Sequence, residues 1–133
     1  MIQLWLLTIF YLIYTGILLM TPSYGVEVPS LLNVRDYLFS HDTLLKVLSF
    51  LGYLIGIGNL FLPLPPGPIG LGDLLPSLAS FWCALWFTLR IAKGDEAGQY
   101  GLDDAQCKKY RRLATFLFVV SSFHFILPAW VIL

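Results

Sequence analysis

The distribution of charge along the chain constrains its fold more than any other feature. Residues 1–26, 47–72, 74–89 and 113–133 contain no Asp, Glu, Lys or Arg, although eight acids and eight bases are present elsewhere. A hydrocarbon core of about 30 Å takes roughly 20 apolar residues in helical form. The uncharged stretches therefore predict spans at about Ile2–Met20, Leu45–Leu62, Asp73–Ile91 and Leu113–Ile132. Hydrophobic residues make up 58% of the sequence and charged ones only 12%, against about 25% charge in a soluble domain. The expected fold class is an all-α integral membrane protein, with four transmembrane helices and a short interfacial helix between the first and second. Residues 1–133 are expected to form a single transmembrane domain.

The first apolar stretch is expected to be a retained helix rather than a cleaved signal peptide. MIQLWLLTIF lacks a basic leader, and TPSYG offers no small-x-small cleavage site. The cations fix an expected topology. Arg35 and Lys46 lie between spans one and two, and Arg90, Lys93, Lys108, Lys109, Arg111 and Arg112 lie between spans three and four. With four spans, both cationic connections fall on the same face. The positive-inside rule then predicts both termini on the outer side and the charged loops on the inner side. The expected location is a bacterial inner (plasma) membrane or an organellar inner membrane.

Between spans one and two, Pro29-Ser30 can open a short helix. Leu31, Leu32, Val34, Tyr37 and Leu38 are expected on its apolar side, with Asn33, Arg35, Asp36 and His41 on its polar side. Pro63, Pro65, Pro66 and Pro68, with Gly67, Gly70 and Gly72, predict a stiff hairpin between spans two and three. Asp73 is placed to cap span three, and Pro76 falls in its first turn, where a missing N–H costs nothing. Gly52 and Gly56 are four residues apart and followed by Asn59, a stripe that lets another backbone approach. Ser77 and Ser80, with Cys83, are the expected small residues facing it.

Half of the charged side chains lie in GDEAGQYGLDDAQCKKYRR, Gly94–Arg112. This segment reads as an anchor rather than a site: Asp103 and Gln106 suit a capping box, and the four cations that follow suit the inner interface. Its acids lack the spacing of a calcium loop. The two cysteines form no CxxC, and no zinc-ligand spacing is present. Nothing in the charge pattern points to nucleic acid.

His124, in VVSSFHFILPAW, is the one ionisable side chain well inside a predicted span. Such a histidine can ligate haem iron or chlorophyll magnesium, bond a quinone or move a proton. It can equally be a neutral imidazole bonded across a helix interface to Ser121, Asn59 or a carbonyl. No acid lies near it in sequence to orient it for catalysis. The composition therefore leads one to expect no enzyme and no cofactor, with haem or chlorophyll on His124 the exception. The expected function is that of a non-catalytic accessory subunit of a larger membrane complex, in contact with the lipid bilayer and other transmembrane subunits. The alternatives are a cofactor-binding subunit of an electron-transfer or photosynthetic complex and a small oligomeric transporter or pore. For a pore, Ser49, Asn59, Ser77, Ser80 and Ser121 would have to line a polar stripe.

Overall fold

The computed structural model describes residues 2–24, 27–62, 73–93 and 104–127. They form five helices: α1 (Ile2–Tyr24), α2 (Pro29–Phe39), α3 (Asp42–Phe61), α4 (Leu74–Lys93) and α5 (Asp104–Ile126), with no strand among the described residues. Three helices, α1, α3 and α4, are long and apolar enough to cross a membrane. The first three turns of α5 carry Lys108, Lys109, Arg111 and Arg112, and the uncharged run predicted as the fourth span continues past Leu127, outside the described residues. Also outside them lie the expected Pro63–Gly72 hairpin and the expected cap at Asp103.

The helices run alternately up and down. Ser49 meets Thr88 while Gly56 meets Phe81 and Ser77, so α3 and α4 are antiparallel. Trp5 meets His124 and Ile9 meets Ser121, so α1 and α5 are antiparallel as well. These two pairs make the most extensive packing, and α1 also touches α3 and α4. Arg35, Lys46, Arg90 and the basic turns of α5 consequently gather at one end. Asp73 stands at the other.

Helical periodicity decides which face of α3 is buried. Leu45, Ser49, Gly52, Gly56 and Asn59 recur at three- and four-residue spacing and face inward. Val47, Phe50, Leu54, Ile57 and Phe61 follow the same spacing on the opposite side and are exposed, Phe50 by 65%. On α5 the same holds for Phe116, Val119, Phe123 and Ile126. The sides of these helices that are not packed against protein are therefore apolar.

Two sequence expectations need correction. The first helix does not stop at Met20: it runs over Pro22 to Tyr24. Pro22 has no N–H for the Leu18 carbonyl, but it lies in the last turn, where Thr21 Oγ1 bonds the Ile17 carbonyl at 3.3 Å. The second correction concerns α2. Its expected polar side includes Arg35, yet Arg35 is only 8% exposed, whereas Val34 and Tyr37 face outward. A period of 3.6 places residues 31, 35 and 38 on one face, and α2 lays that face against α1 and α3. Arginine tolerates this because its stem is apolar, and its head group bonds Asp36 at 3.2 Å.

Gly52 is where the packing is tightest. A Cβ there would collide with the Tyr11 hydroxyl and lie 2.8 Å from the Ala84 Cβ. At Gly58 the nearest atom is the far end of Leu4, 3.0 Å away. Gly52→Ala should destabilise the fold by about 1–3 kcal/mol through overpacking, while Gly58→Ala, against a flexible side chain, should be nearly silent. Thermal unfolding of the two variants in the same detergent checks this; equal tolerance at both positions would contradict the packing described.

Candidate functional site

Polar side chains from all four long helices meet in the half of the bundle opposite the cations. Thr8 on α1 donates to its own Leu4 carbonyl at 2.8 Å and accepts from the Asn59 amide of α3 at 3.1 Å. Ser77 on α4 donates to the Gly56 carbonyl of α3 at 2.7 Å. Ser121 on α5 reaches the Ile9 carbonyl of α1 at 3.4 Å. An amide or hydroxyl buried without such a partner would cost several kcal/mol on an alkane scale, roughly 4–8. Each bond therefore fixes which residues of two helices stand opposite each other.

His124 closes this arrangement. It is 1% exposed, and its Nδ1 lies 3.9 Å from Oδ1 of Asp73, itself 4% exposed. The distance is too long for a hydrogen bond and is an ionic contact when the imidazole is protonated. Asp73 immediately precedes α4, and its carbonyl accepts the Ser77 N–H at 3.1 Å. One position thus starts a helix and supplies the carboxylate nearest the imidazole. The acid missing from the sequence around His124 is brought by the fold from 51 positions away.

The backbone of His124 is used too. Its carbonyl would ordinarily accept from residue 128, but Pro128 has no N–H. The Trp5 indole donates there instead, at 2.7 Å, and its ring stacks on Phe125 with centroids 5.7 Å apart. Trp5 is therefore a helix-terminal partner.

The remaining predicted positions can be placed individually. Gly52 packs under Tyr11 and Ala84, and Gly56 under Phe81. Ser80 bonds the Pro76 carbonyl of its own helix at 2.8 Å, so its hydroxyl does not reach α3. Ser49 bonds Ala84 and Thr88 of α4. The five positions considered for a pore, Ser49, Asn59, Ser77, Ser80 and Ser121, are all buried and bonded to helix backbone or side chains. Of the topology anchors, Lys108, Lys109, Arg111 and Arg112 are exposed, Arg90 is half-buried, and the Lys93 side chain lies outside the described residues.

As a candidate cofactor ligand, His124 is enclosed by Asp73 and the tilted Trp5 ring, whose centroid is 6.5 Å away. His41, the second histidine, precedes α3 at the cationic end, about 30 Å away along a 20-residue helix at 1.5 Å per residue. The two cannot share one metal within a single chain. Among the described residues no three His, Cys, Asp or Glu side chains converge as a metal site would require.

Fold and site together define a helical bundle whose internal polar groups join helix to helix, with three helices long and apolar enough to cross a membrane. The chain belongs to a protein family of unknown function, whose sequence model matches residues 1–126. No curated protein and no solved structure matches it.

The contact between Asp73 and His124 should appear as energetic coupling. Asp73→Ala and His124→Ala should each destabilise by about 1–3 kcal/mol, the usual consequence of removing a buried polar side chain from its contacts. The double variant should fall short of the sum by about 1 kcal/mol. Unfolding of the four proteins of this cycle in one detergent provides the measurement, and strict additivity would show that the pair does not interact.

Proposed function

We propose that this protein is a four-span integral membrane protein acting as a non-catalytic accessory subunit of a larger membrane complex. The observation that carries this reading is the division of polar and apolar groups. Thr8, Ser49, Asn59, Ser77, Asp73, Ser121 and His124 are buried inside the bundle, while the outward faces of α3 and α5 present large apolar side chains. In water such faces would aggregate; beside lipid tails or partner helices they are in a suitable solvent. Among the described residues the bonded interior leaves no polar stripe for a pore, and nothing near His124 resembles an activated nucleophile.

In the same reading, α5 and the segment after it form the fourth span. The cationic end lies on the inner side of a bacterial or organellar inner membrane, and both termini lie outside. The protein works by shape: its apolar faces fill a groove between partner helices and hold them in register, much as small-residue contacts hold α3 to α4 within the chain.

The reading is tested by fractionation followed by site-specific photo-crosslinking in the native membrane. The protein should stay with the membrane after alkaline carbonate extraction. A crosslinker at Phe50 or Phe116 should give one discrete heavier adduct, whereas the same group at the buried Leu12 should crosslink only within the chain. Release into the carbonate supernatant contradicts membrane insertion. Retention with no adduct from any exposed face, together with recovery as a lone monomer in mild detergent, contradicts the subunit role. An absorption spectrum of the same preparation tests ligation: a haem or chlorophyll band lost in His124→Ala would replace the subunit reading with the cofactor one.

A further inference from the structure

At the cationic end, α4 and α5 leave a cleft of about 320 Å³ between them. Its lining is polar at Arg90, Lys109 and Tyr110, the mouth toward the cationic end, and apolar at Trp82, Leu85 and Leu113, the floor farther along the helices. On α4 the floor lies up to eight residues from Arg90, about 12 Å along the helix at 1.5 Å per residue. Among the described residues the lining thus holds two cations and no carboxylate. Arg90 is unusual within it. Its guanidinium sits 5.1 Å from the Phe39 ring and 5.3 Å from the Trp86 ring, yet its buried Nη1 has no hydrogen-bond partner among the described residues. Aromatic faces compensate the charge, but they do not supply the oxygen acceptor that a desolvated guanidinium N–H calls for.

We propose that this cleft binds the headgroup of an anionic phospholipid. Arg90 and Lys109 hold the phosphate oxygens, Tyr110 borders the headgroup, and an acyl chain runs past Leu85 toward Trp82. The pairing of a cationic mouth with an apolar floor selects a lipid over a free anion, because a free phosphate would leave the floor uncovered. Arginine suits the task because its planar fork bonds two phosphate oxygens at once. Lys109 adds charge from the second helix, so the bound lipid bridges α4 and α5 where the two touch only lightly. The inference rests on the membrane reading above, since it is the inner leaflet that brings lipid to this end.

The test is native mass spectrometry of the full chain, released from detergent micelles containing equal amounts of phosphatidylglycerol and phosphatidylcholine. Both headgroups carry a phosphate, but only in phosphatidylcholine is it balanced by a quaternary ammonium, so retained phosphatidylglycerol should exceed phosphatidylcholine by about fivefold or more, the factor that about one cation's attraction to net anionic charge gives. Lys109→Gln, at an exposed side chain where folding is not at risk, and Arg90→Gln should each bring the ratio toward one. Arg112→Gln, on the same helix but outside the cleft, should leave it unchanged. Equal loss in all three variants would mean diffuse surface attraction and overturn the site. Inorganic phosphate that binds with the same dependence on Arg90 and displaces the lipid would overturn the lipid assignment in favour of a free anion. No retained lipid of either kind, from a protein that carbonate has shown to be membrane-embedded, would overturn this inference while leaving the membrane reading intact.

Discussion

A closed circuit of polar contacts ties the four long helices together, and the rest of the structure depends on it. Thr8 holds Asn59, Gly56 holds Ser77, Asp73 faces His124, and the His124 carbonyl holds Trp5. The circuit therefore passes from α1 through α3, α4 and α5 and returns to α1. Burial of apolar area does little to choose a register here, because residues such as Phe50 and Phe116 are as apolar as those facing inward. Directional bonds choose it instead. Interhelical bonds of this kind contribute about 0.6–2 kcal/mol each in apolar surroundings, and a one-residue slip would break several at once. The close seats at Gly52 and Gly56 add steric selection, since α3 can meet Tyr11, Phe81 and Ala84 only where no Cβ intervenes.

The two ends of the bundle differ as a result. One end carries the cations, the short helix α2 and the cleft around Arg90. At the other, Asp73 and His124 are enclosed and paired. Charge that can reach solvent is gathered at one end, while the carboxylate at the opposite end is enclosed beside an imidazole. This polarity is what an asymmetric environment would act on, and it also separates the two histidines by the length of α3.

Much of the helical layout was legible in the charge pattern alone. Stretches free of Asp, Glu, Lys and Arg became α1, α3, α4 and most of α5, because a charged side chain inside an apolar bundle is costly and so marks an end or a connection. The glycines of α3 were legible for a similar reason: two missing side chains at helical spacing on an otherwise bulky helix imply a close neighbour. What could not be read locally was pairing across the fold. Asp73 and His124 are remote in sequence, and Asp73 alone looked like a cap. Two signals nevertheless pointed to them: Asp73 is the one acid in the uncharged half of the layout, and Pro128 deprives the His124 carbonyl of its usual donor. The buried face of α2 was misjudged for another reason. Polarity was read residue by residue, whereas the helix buries whatever its period places inward, and the long stem of Arg35 makes that tolerable.

The proposed topology has the helices alternate across a bilayer with their cationic ends on one side. The most direct measurement is the reactivity of single thiols toward a membrane-impermeant maleimide, in intact cells and after permeabilisation. Cys107 lies in the first turn of α5 at the cationic end and is partly exposed, Leu62 follows α3 at the opposite end and is exposed, and Cys83 is fully buried. In a background lacking Cys83, an introduced Leu62→Cys thiol without Cys107 should label in intact cells, and native Cys107 should label only once the membrane is opened. Labelling of both positions from the same side would contradict the account.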